Sequence, residues 1–287
     1  MSNEVKYKKI DLTNWTCFSD RFNSKSYVSA DKKWMVKFDS GMSYYDETII
    51  DREHDVALKA LALGVKTPKV GDIVIDDEGR KGLIYEYIEG KKSIARYVSE
   101  DLDNIDMYMK KFALVAREFH SVKCDTTQFE SMHDRVINQI NTRDILYEEQ
   151  KVKAFKFLET IELKTVCAHG DFQTGNVILA GDKSYVIDLN SMGYGNPEFD
   201  IAMFYFFCFL FPKKFIDTVF HCEQKYLPIM WNSFIKYYYE ANSEKSINEI
   251  TERIKKVASL CLYTNMQFVK FDESKAPFMR SLIDEFL

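Results

Sequence analysis

The sequence predicts an α+β fold in which a strand-rich N-terminal part precedes a longer, mainly helical region. Residues 33–39 alternate between polar and apolar side chains as a half-buried strand does, and residues 82–88 form a second apolar strand. Between them, residues 46–63 carry apolar side chains at helical spacing, and the same spacing returns at residues 109–119. A chain of 287 residues is long enough for two regions that each bury an apolar core.

The first strand places a lysine, Lys37, in its middle. Val36 and Phe38 lie on one face of this strand and Lys37 on the other. A mid-strand lysine is most often only part of a solvated sheet face, but the following helix gives Lys37 another interpretation.

Glu53 falls on the apolar stripe of the helix predicted for residues 46–63, which ends at Gly64, a common C-terminal stop. A buried glutamate needs a cation or a proton. We therefore predict an ion pair between Lys37 and Glu53. The alternative is that Glu53 lies at the edge of the stripe and reaches water.

The most informative segment runs from His169 to Asn176 and contains Asp171. A tight turn at residues 181–182 joins two predicted strands, so that Asn176 begins one and Asp188 lies near the end of the other. In an antiparallel pair these positions are neighbours. The segment supplies one carboxylate to accept a hydroxyl proton, with a carboxamide and a second carboxylate to hold a hard cation such as Mg²⁺. Phosphoryl transfer from a nucleotide to an alcohol requires such a set.

Each of these residues also has a purely structural interpretation, because Asp and Asn commonly form turns. Asp188, however, lies in the apolar run 185–189, where an unpaired carboxylate would be costly to bury. The combination therefore favours a functional site.

These motifs carry a family resemblance. The pattern His-Gly-Asp-x-x-x-x-Asn, followed by Ile-Asp and then Asn-Pro-x-x-Asp, resembles the aminoglycoside phosphotransferase and choline kinase superfamily, over roughly Phe22 to Phe211. The resemblance implies a two-lobed, protein-kinase-like fold. It also implies an N-terminal nucleotide-binding lobe over residues 1–89 and a C-terminal catalytic and acceptor-binding lobe over residues 90–287.

The resemblance also implies roles for the central residues. Asp171 would be the catalytic base, and Asn176 and Asp188 the Mg²⁺ ligands. His169 would orient the loop rather than perform chemistry, and Asp200 would brace it.

In the N-terminal lobe, the resemblance places Lys37 on the nucleotide phosphates and Glu53 as its partner. Main-chain groups of Glu86 and Ile88 would bond the adenine edge. Protein kinases cover the phosphates with a glycine-rich loop, but residues 21–28 contain no glycine, so Ser24 is the predicted contact there.

Composition indicates a cytoplasmic enzyme. The formal net charge of -5 argues against a nucleic-acid partner, and residues 1–15 lack the apolar stretch of a signal peptide. The most apolar segment, residues 201–211, is too short to span a membrane, which takes about 20 residues. The six cysteines have no metal-ligand spacing. We expect no nucleic-acid or membrane partner, and a monomer or weak dimer.

The sequence leaves the acceptor open. The resemblance implies ATP or GTP as co-substrate and a small-molecule hydroxyl as acceptor, for which we predict an aminoglycoside or related amino sugar. Asp284 and Glu285, in a C-terminal segment similar to that of some aminoglycoside kinases, are candidate acceptor contacts. An amino-alcohol kinase of the choline or ethanolamine type is the alternative, and a non-catalytic nucleotide-binding module is a further one. A protein kinase is disfavoured because residues 189–196 leave no room for an activation loop.

Overall fold

The N-terminal region is built around a twisted sheet. The structure, a computed structural model, describes residues 7–21, 24–39, 48–268 and 272–287, without side chains at residues 19–21, 24, 39 and 215. Within these residues, six strands pair in the order β1-β5-β6-β4-β3-β2, antiparallel except for β1 with β5. The elements are β1 (Lys8–Lys9), β2 (Trp15–Arg21), β3 (Ser24–Ser29), β4 (Trp34–Asp39), α1 (Ile49–Ala62), β5 (Val70–Ile75) and β6 (Lys81–Glu86).

Strand β4 confirms the predicted alternation. Val36 and Phe38 are fully buried and pack with Val74 of β5 in the core of the sheet. Lys37 lies on the opposite face, toward α1. Because β4 is paired on both sides, with β3 and with β6, the backbone of Lys37 is held firmly.

Helix α1 confirms the prediction that Glu53 is buried, since this residue is only 4% exposed. Ile49 and Ile50 pack against Leu83 of β6, which fixes the helix to the sheet. The helix stops at the predicted glycine: Gly64 has a left-handed φ of 84°, and its N–H donates to Leu61 O. The first residues of the predicted helix, 46 and 47, lie outside the described part.

The rest of the chain is mainly helical, with short strands that carry the central motifs. One large apolar core joins most of its helices. The elements are β7 (Lys92–Ser93), α2 (Ile94–Glu100), α3 (Ile105–Phe119), α4 (Met132–Thr142), α5 (Glu148–Leu158), β8 (Val166–Ala168), β9 (Val177–Ala180), β10 (Lys183–Val186), β11 (Gly193–Gly195), α6 (Glu198–Tyr205), α7 (Ile216–Phe220), α8 (Leu227–Tyr238), α9 (Glu244–Cys261) and α10 (Ala276–Phe286).

The predicted hairpin is present, with one correction. Strands β9 and β10 are joined at Gly181, whose φ is 58°. The strands are shorter than predicted: Asn176 ends a 3-10 turn just before β9, and Asp188 follows β10 with a left-handed φ of 58°. An aspartate tolerates this conformation better than most residues. Because Ile187 N–H donates to Asn176 O at 2.9 Å, the segments that carry Asn176 and Asp188 still lie side by side.

Most of the apolar segment 201–211 is buried in the large core, although Phe209 is exposed. Asn196 caps its start by accepting the N–H of Glu198 at 3.0 Å. The helix does not run to residue 211 as one α-helix, because residues 206–210 form a wider π-helical turn. In the part of the chain that the structure describes, no helix combines the length and apolarity needed to cross a bilayer.

Candidate active site

Asp171 lies in the loop of residues 169–176, called here the Asp171 loop. Asn176 closes this loop, because its Nδ2 donates to the main-chain oxygen of Asp171 at 2.8 Å and to the carboxylate Oδ2 at 3.2 Å. Burial, together with the nearby charge of Asp188, raises the pKa of Asp171 to about 7. A carboxylate with this pKa accepts a proton more readily than a solvated aspartate does.

Lys37 bridges two carboxylates across the cleft. Its Nζ lies 2.7 Å from Asp188 Oδ1 and 3.8 Å from Glu53 Oε1, so the predicted ion pair with Glu53 is present but is the looser of the two. The Lys37 ammonium holds the pKa of Asp188 below its usual range. Lys37 and Asp188 remain accessible, with side chains 30% and 39% exposed.

Glu53 has a second partner that the sequence did not indicate. Tyr85, on β6, donates its hydroxyl to Glu53 Oε1. Burial nevertheless raises the pKa of Glu53 above its ordinary value. The glutamate is thus held by a cation and a phenol, in a position fixed by α1 and the sheet.

Asp200, at the start of α6, holds the Asp171 loop through hydrogen bonds to its main chain. Its carboxylate accepts the main-chain N–H groups of His169 at 2.6 Å and Gly170 at 2.7 Å, and lies 3.0 Å from His120 Nε2. Burial acts to raise the pKa of Asp200, but these hydrogen bonds together lower it. His120 is therefore a buried, hydrogen-bonded residue.

His169 links the two motifs. Its Nε2 donates to Ile187 O at 2.9 Å, and its Nδ1 accepts the N–H of Asp171 at 3.2 Å. These partners select the neutral tautomer with the proton on Nε2. Burial lowers the pKa of His169, in keeping with a neutral ring. The ring therefore ties the backbone of Asp171 to the residue just before Asp188.

Two of the other predicted nucleotide contacts, Glu86 and Ile88, lie at the end of β6 and just after it, and their part in nucleotide binding stays a prediction. Glu86 ends β6, donates its N–H to Lys69 O at 2.7 Å, and is followed by the buried Ile88 in the link to the helical region. Ser24 begins β3, but its side chain, and the loop residues before it, lie outside the described residues.

Three contacts that sequence reasoning missed lie near the Asp171 loop, and the first two join the N-terminal region to the helical region. Arg52, beside Glu53 on α1, donates to Asn190 O at 3.2 Å and lies 4.0 Å from the ring centroid of Phe268. Asn265 Nδ2 donates to Gly170 O at 3.3 Å. No local pattern could have revealed these pairs, because their members lie far apart in the sequence.

The predicted acceptor residues lie on the C-terminal helix α10. Asp284 accepts a hydrogen bond from Gln150 at 2.9 Å and lies 3.8 Å from Lys153, both on α5. Glu285 is exposed, and its charge contributes to raising the pKa of Tyr205, after burial and the charge of Glu252. Their part in acceptor binding stays a prediction.

The fold is kinase-like: a mainly antiparallel sheet with one helix packs against a helical region that carries the Asp171 loop. A family model described as the phosphotransferase enzyme family matches residues 19–229. The chain belongs to this family. The predicted fold and family resemblance are thereby confirmed.

Several solved structures share the fold. Aminoglycoside phosphotransferase APH(3'')-Id from Streptomyces rimosus is 16% identical, with a TM-score of 0.52 over 88% of this chain and 92% of that chain. Aminoglycoside phosphotransferase APH(4)-Ia is 12% identical, with a TM-score of 0.59 over 96% and 93%. A choline/ethanolamine kinase family protein from Mesorhizobium loti is 12% identical, with a TM-score of 0.51 over 95% and 87%. No curated protein sequence matches this chain significantly.

Proposed function

We propose that this protein transfers the γ-phosphoryl group of ATP or GTP to a hydroxyl of a small molecule, an aminoglycoside or related amino sugar. The observation that carries the proposal is the convergence of Asp171, Asn176 and Asp188 in one cleft beside Lys37. APH(3'')-Id has been crystallised with ADP and streptomycin, and a thermostable mutant of APH(4)-Ia with ADP and hygromycin B. Both complexes pair a nucleotide with an amino sugar, which supports the same substrate classes here.

The nucleotide would bind between the sheet and the helical region. Lys37 would contact the α- and β-phosphates while Glu53 holds its side chain in place. Main-chain groups of Glu86 and Ile88 would bond the base, and Ser24 would contact the phosphates from β3. The bridge between Lys37 and Asp188 would then loosen, because the phosphates compete for the same ammonium.

Asn176 and Asp188 fit a magnesium ion. Because the amide nitrogen of Asn176 is bonded to Asp171, its carbonyl oxygen remains as the donor for a cation. The lowered pKa of Asp188 keeps its carboxylate ionised at neutral pH. One carboxylate and one carboxamide oxygen, completed by phosphate and water, suit Mg²⁺. When bound, the ion would offset the charge that develops on the phosphate oxygens.

The proposed chemistry is one displacement at phosphorus. The acceptor hydroxyl oxygen forms a bond to the γ-phosphorus, and the bond from that phosphorus to the β,γ-bridging oxygen breaks, releasing the nucleoside diphosphate. Asp171 orients the hydroxyl and takes its proton as the bond forms. His169 and Asp200 hold the loop so that the carboxylate is placed before substrate arrives. Most of the rate enhancement is positioning and electrostatic stabilisation.

The test is a nucleotide-consumption screen with Mg²⁺ over aminoglycosides, macrolides, choline, ethanolamine and small sugars. We expect consumption that depends on an amino sugar. Consumption with only choline or ethanolamine would favour an amino-alcohol kinase instead. Nucleotide binding with no acceptor-dependent consumption would indicate a non-catalytic module.

A matched pair of variants tests the role of Asp171. Asp171→Asn should lower acceptor-dependent turnover by about 10²- to 10⁴-fold, while nucleotide binding stays close to that of the wild type. Asp182→Asn makes the same chemical change at the exposed hairpin turn and should leave turnover unchanged. Equal turnover in the wild type and Asp171→Asn would remove Asp171 from the mechanism.

A further inference from the structure

Lys91 places a second ammonium group in the cleft, and none of the roles above accounts for it. The residue follows Gly90 in the link between the sheet and the helical region. Its side chain is partly buried, with Nζ 3.2 Å from Met35 Sδ and 6.0 Å from the ring centroid of Tyr87. Among the described residues, no carboxylate forms an ion pair with it.

This environment is unfavourable for a charged amine. Burial lowers the pKa of Lys91, although the charge of Asp188 acts in the opposite direction. A thioether is a weak acceptor and replaces little of the hydration that the ammonium has lost. A cation held in this way is best stabilised by an anion that enters the cleft.

Lys91 contacts the same face of β4 that carries Lys37. Met35 and Lys37 lie on the same face of β4, two residues and about 7 Å apart. Lys91 contacts Met35, and the charges of both Asp188 and Lys37 act on it. Its ammonium therefore lies between the link that follows β6 and the Lys37–Asp188 pair.

We propose that Lys91 is a second cationic contact for the phosphates of the bound nucleotide. The inference rests on the proposed function, because the anion is taken to be the nucleoside di- or triphosphate. A lysine on a flexible stem suits phosphate as a point charge. Lys91 would turn from Met35 toward the phosphates when the nucleotide binds, and would set nucleotide affinity rather than the rate of transfer.

The neighbouring lysine supplies a matched control. Lys92 Nζ lies 2.5 Å from Glu100 Oε2 and 5.1 Å from the ring centroid of Tyr97, so its side chain is directed toward α2. Lys91→Met and Lys92→Met remove the same charge from adjacent positions. Only the first removes it from the cleft.

The experiment is calorimetric titration of wild type, Lys91→Met and Lys92→Met with ADP plus Mg²⁺ and, separately, with adenosine. For ADP we expect at least about tenfold weaker binding in Lys91→Met and little change in Lys92→Met. Adenosine, which has no phosphates, should bind all three proteins equally. The melting temperature of Lys91→Met without ligand should equal or exceed that of the wild type, because a poorly solvated charge has been removed.

Two results would overturn the inference. The first is that Lys91→Met binds ADP with an affinity within twofold of the wild type. The second is that Lys91→Met loses ADP and adenosine binding equally, which would place the contact on the base or ribose. If Lys91→Met fails to fold, Lys91→Arg keeps the charge and should bind ADP nearly as the wild type does; a full loss there also contradicts the inference. Failure of the wild type itself to bind ADP or ATP would instead reject the proposed function.

Discussion

Asp200 is the buried acid that holds the Asp171 loop, so its replacement by asparagine separates this support from the chemistry of Asp171. The Asp200 side chain is fully buried and accepts three hydrogen bonds, from His169 N–H, Gly170 N–H and His120. Asparagine has nearly the same shape, but it carries no charge and offers only one acceptor oxygen.

The expected loss follows from these contacts. A hydrogen bond to a charged group contributes about 1.5–3 kcal/mol, against about 0.5–1.5 kcal/mol for a neutral one, so three such bonds lose roughly 3 kcal/mol. The new amide NH₂ also faces a main-chain N–H, which leaves a buried donor unsatisfied. We expect Asp200→Asn to lower the free energy of unfolding by about 3–5 kcal/mol in total. The melting temperature would then fall by roughly 6–20 °C.

The loss of unfolding free energy in Asp200→Asn should become smaller as pH is lowered. The pKa of Asp200 is lower in the folded protein than its ordinary value, so the carboxylate stabilises the fold above about pH 4. That contribution disappears as pH falls through the folded-state pKa. The difference in melting temperature between wild type and Asp200→Asn should therefore be full at pH 7 and shrink below about pH 4.

Thermal unfolding followed by circular dichroism, with acceptor-dependent nucleotide turnover on the same samples, measures both effects. Asp217→Asn, at an exposed position on α7, is the matched control and should melt as the wild type does. The reasoning is refuted if Asp200→Asn melts within about 2 °C of the wild type at pH 7. A difference that grows as pH is lowered would refute it equally.

Three further predictions concern the cleft. Because burial raises the pKa of Glu53, the Glu53→Gln variant should have a melting temperature within about 2 °C of the wild type, or higher. Its turnover should fall about tenfold, because Lys37 loses a partner. A large drop in melting temperature would contradict this prediction. A double-mutant cycle of Arg52→Met and Phe268→Leu, measured by unfolding, should give a coupling of about 0.5–2 kcal/mol, and a value near zero would exclude the contact. A chelator should abolish turnover, reversibly on adding Mg²⁺, without lowering the melting temperature of the nucleotide-free protein; loss of the fold would assign the metal a structural role.

Those parts of the fold that depend on local pattern could be predicted from the sequence. The alternation along β4 fixed which face carries Lys37, and the helical spacing of α1 showed that Glu53 is buried. Asp188 was recognisable because it interrupts the apolar run 185–189, and Asp171 and Asn176 because their spacing matches the motif of the family.

Most contacts between distant segments could not be predicted, and the ion pair between Lys37 and Glu53 is an exception. Tyr85 bonds Glu53 because α1 packs on the sheet. Arg52 reaches Asn190 because the N-terminal region packs against the helical region. The left-handed backbone at Asp188 was missed for a related reason: its apolar neighbours have the composition of a strand, and the strand nevertheless ends at Val186. The pattern of apolar residues does not show at which residue the hydrogen bonds between two paired strands end.

The central claim is that Asn176 and Asp188 hold one divalent cation within reach of Asp171. Crystals grown with AMP-PNP and Mn²⁺, measured by anomalous diffraction, test it most directly. We expect a single strong peak about 2.0–2.2 Å from the Asp188 carboxylate and from Asn176 Oδ1, with Lys37 moved from Asp188 to the phosphates. A nucleotide-bound structure with no metal at these two side chains, or with the Asp171 carboxylate turned away from the γ-phosphate, would contradict the claim.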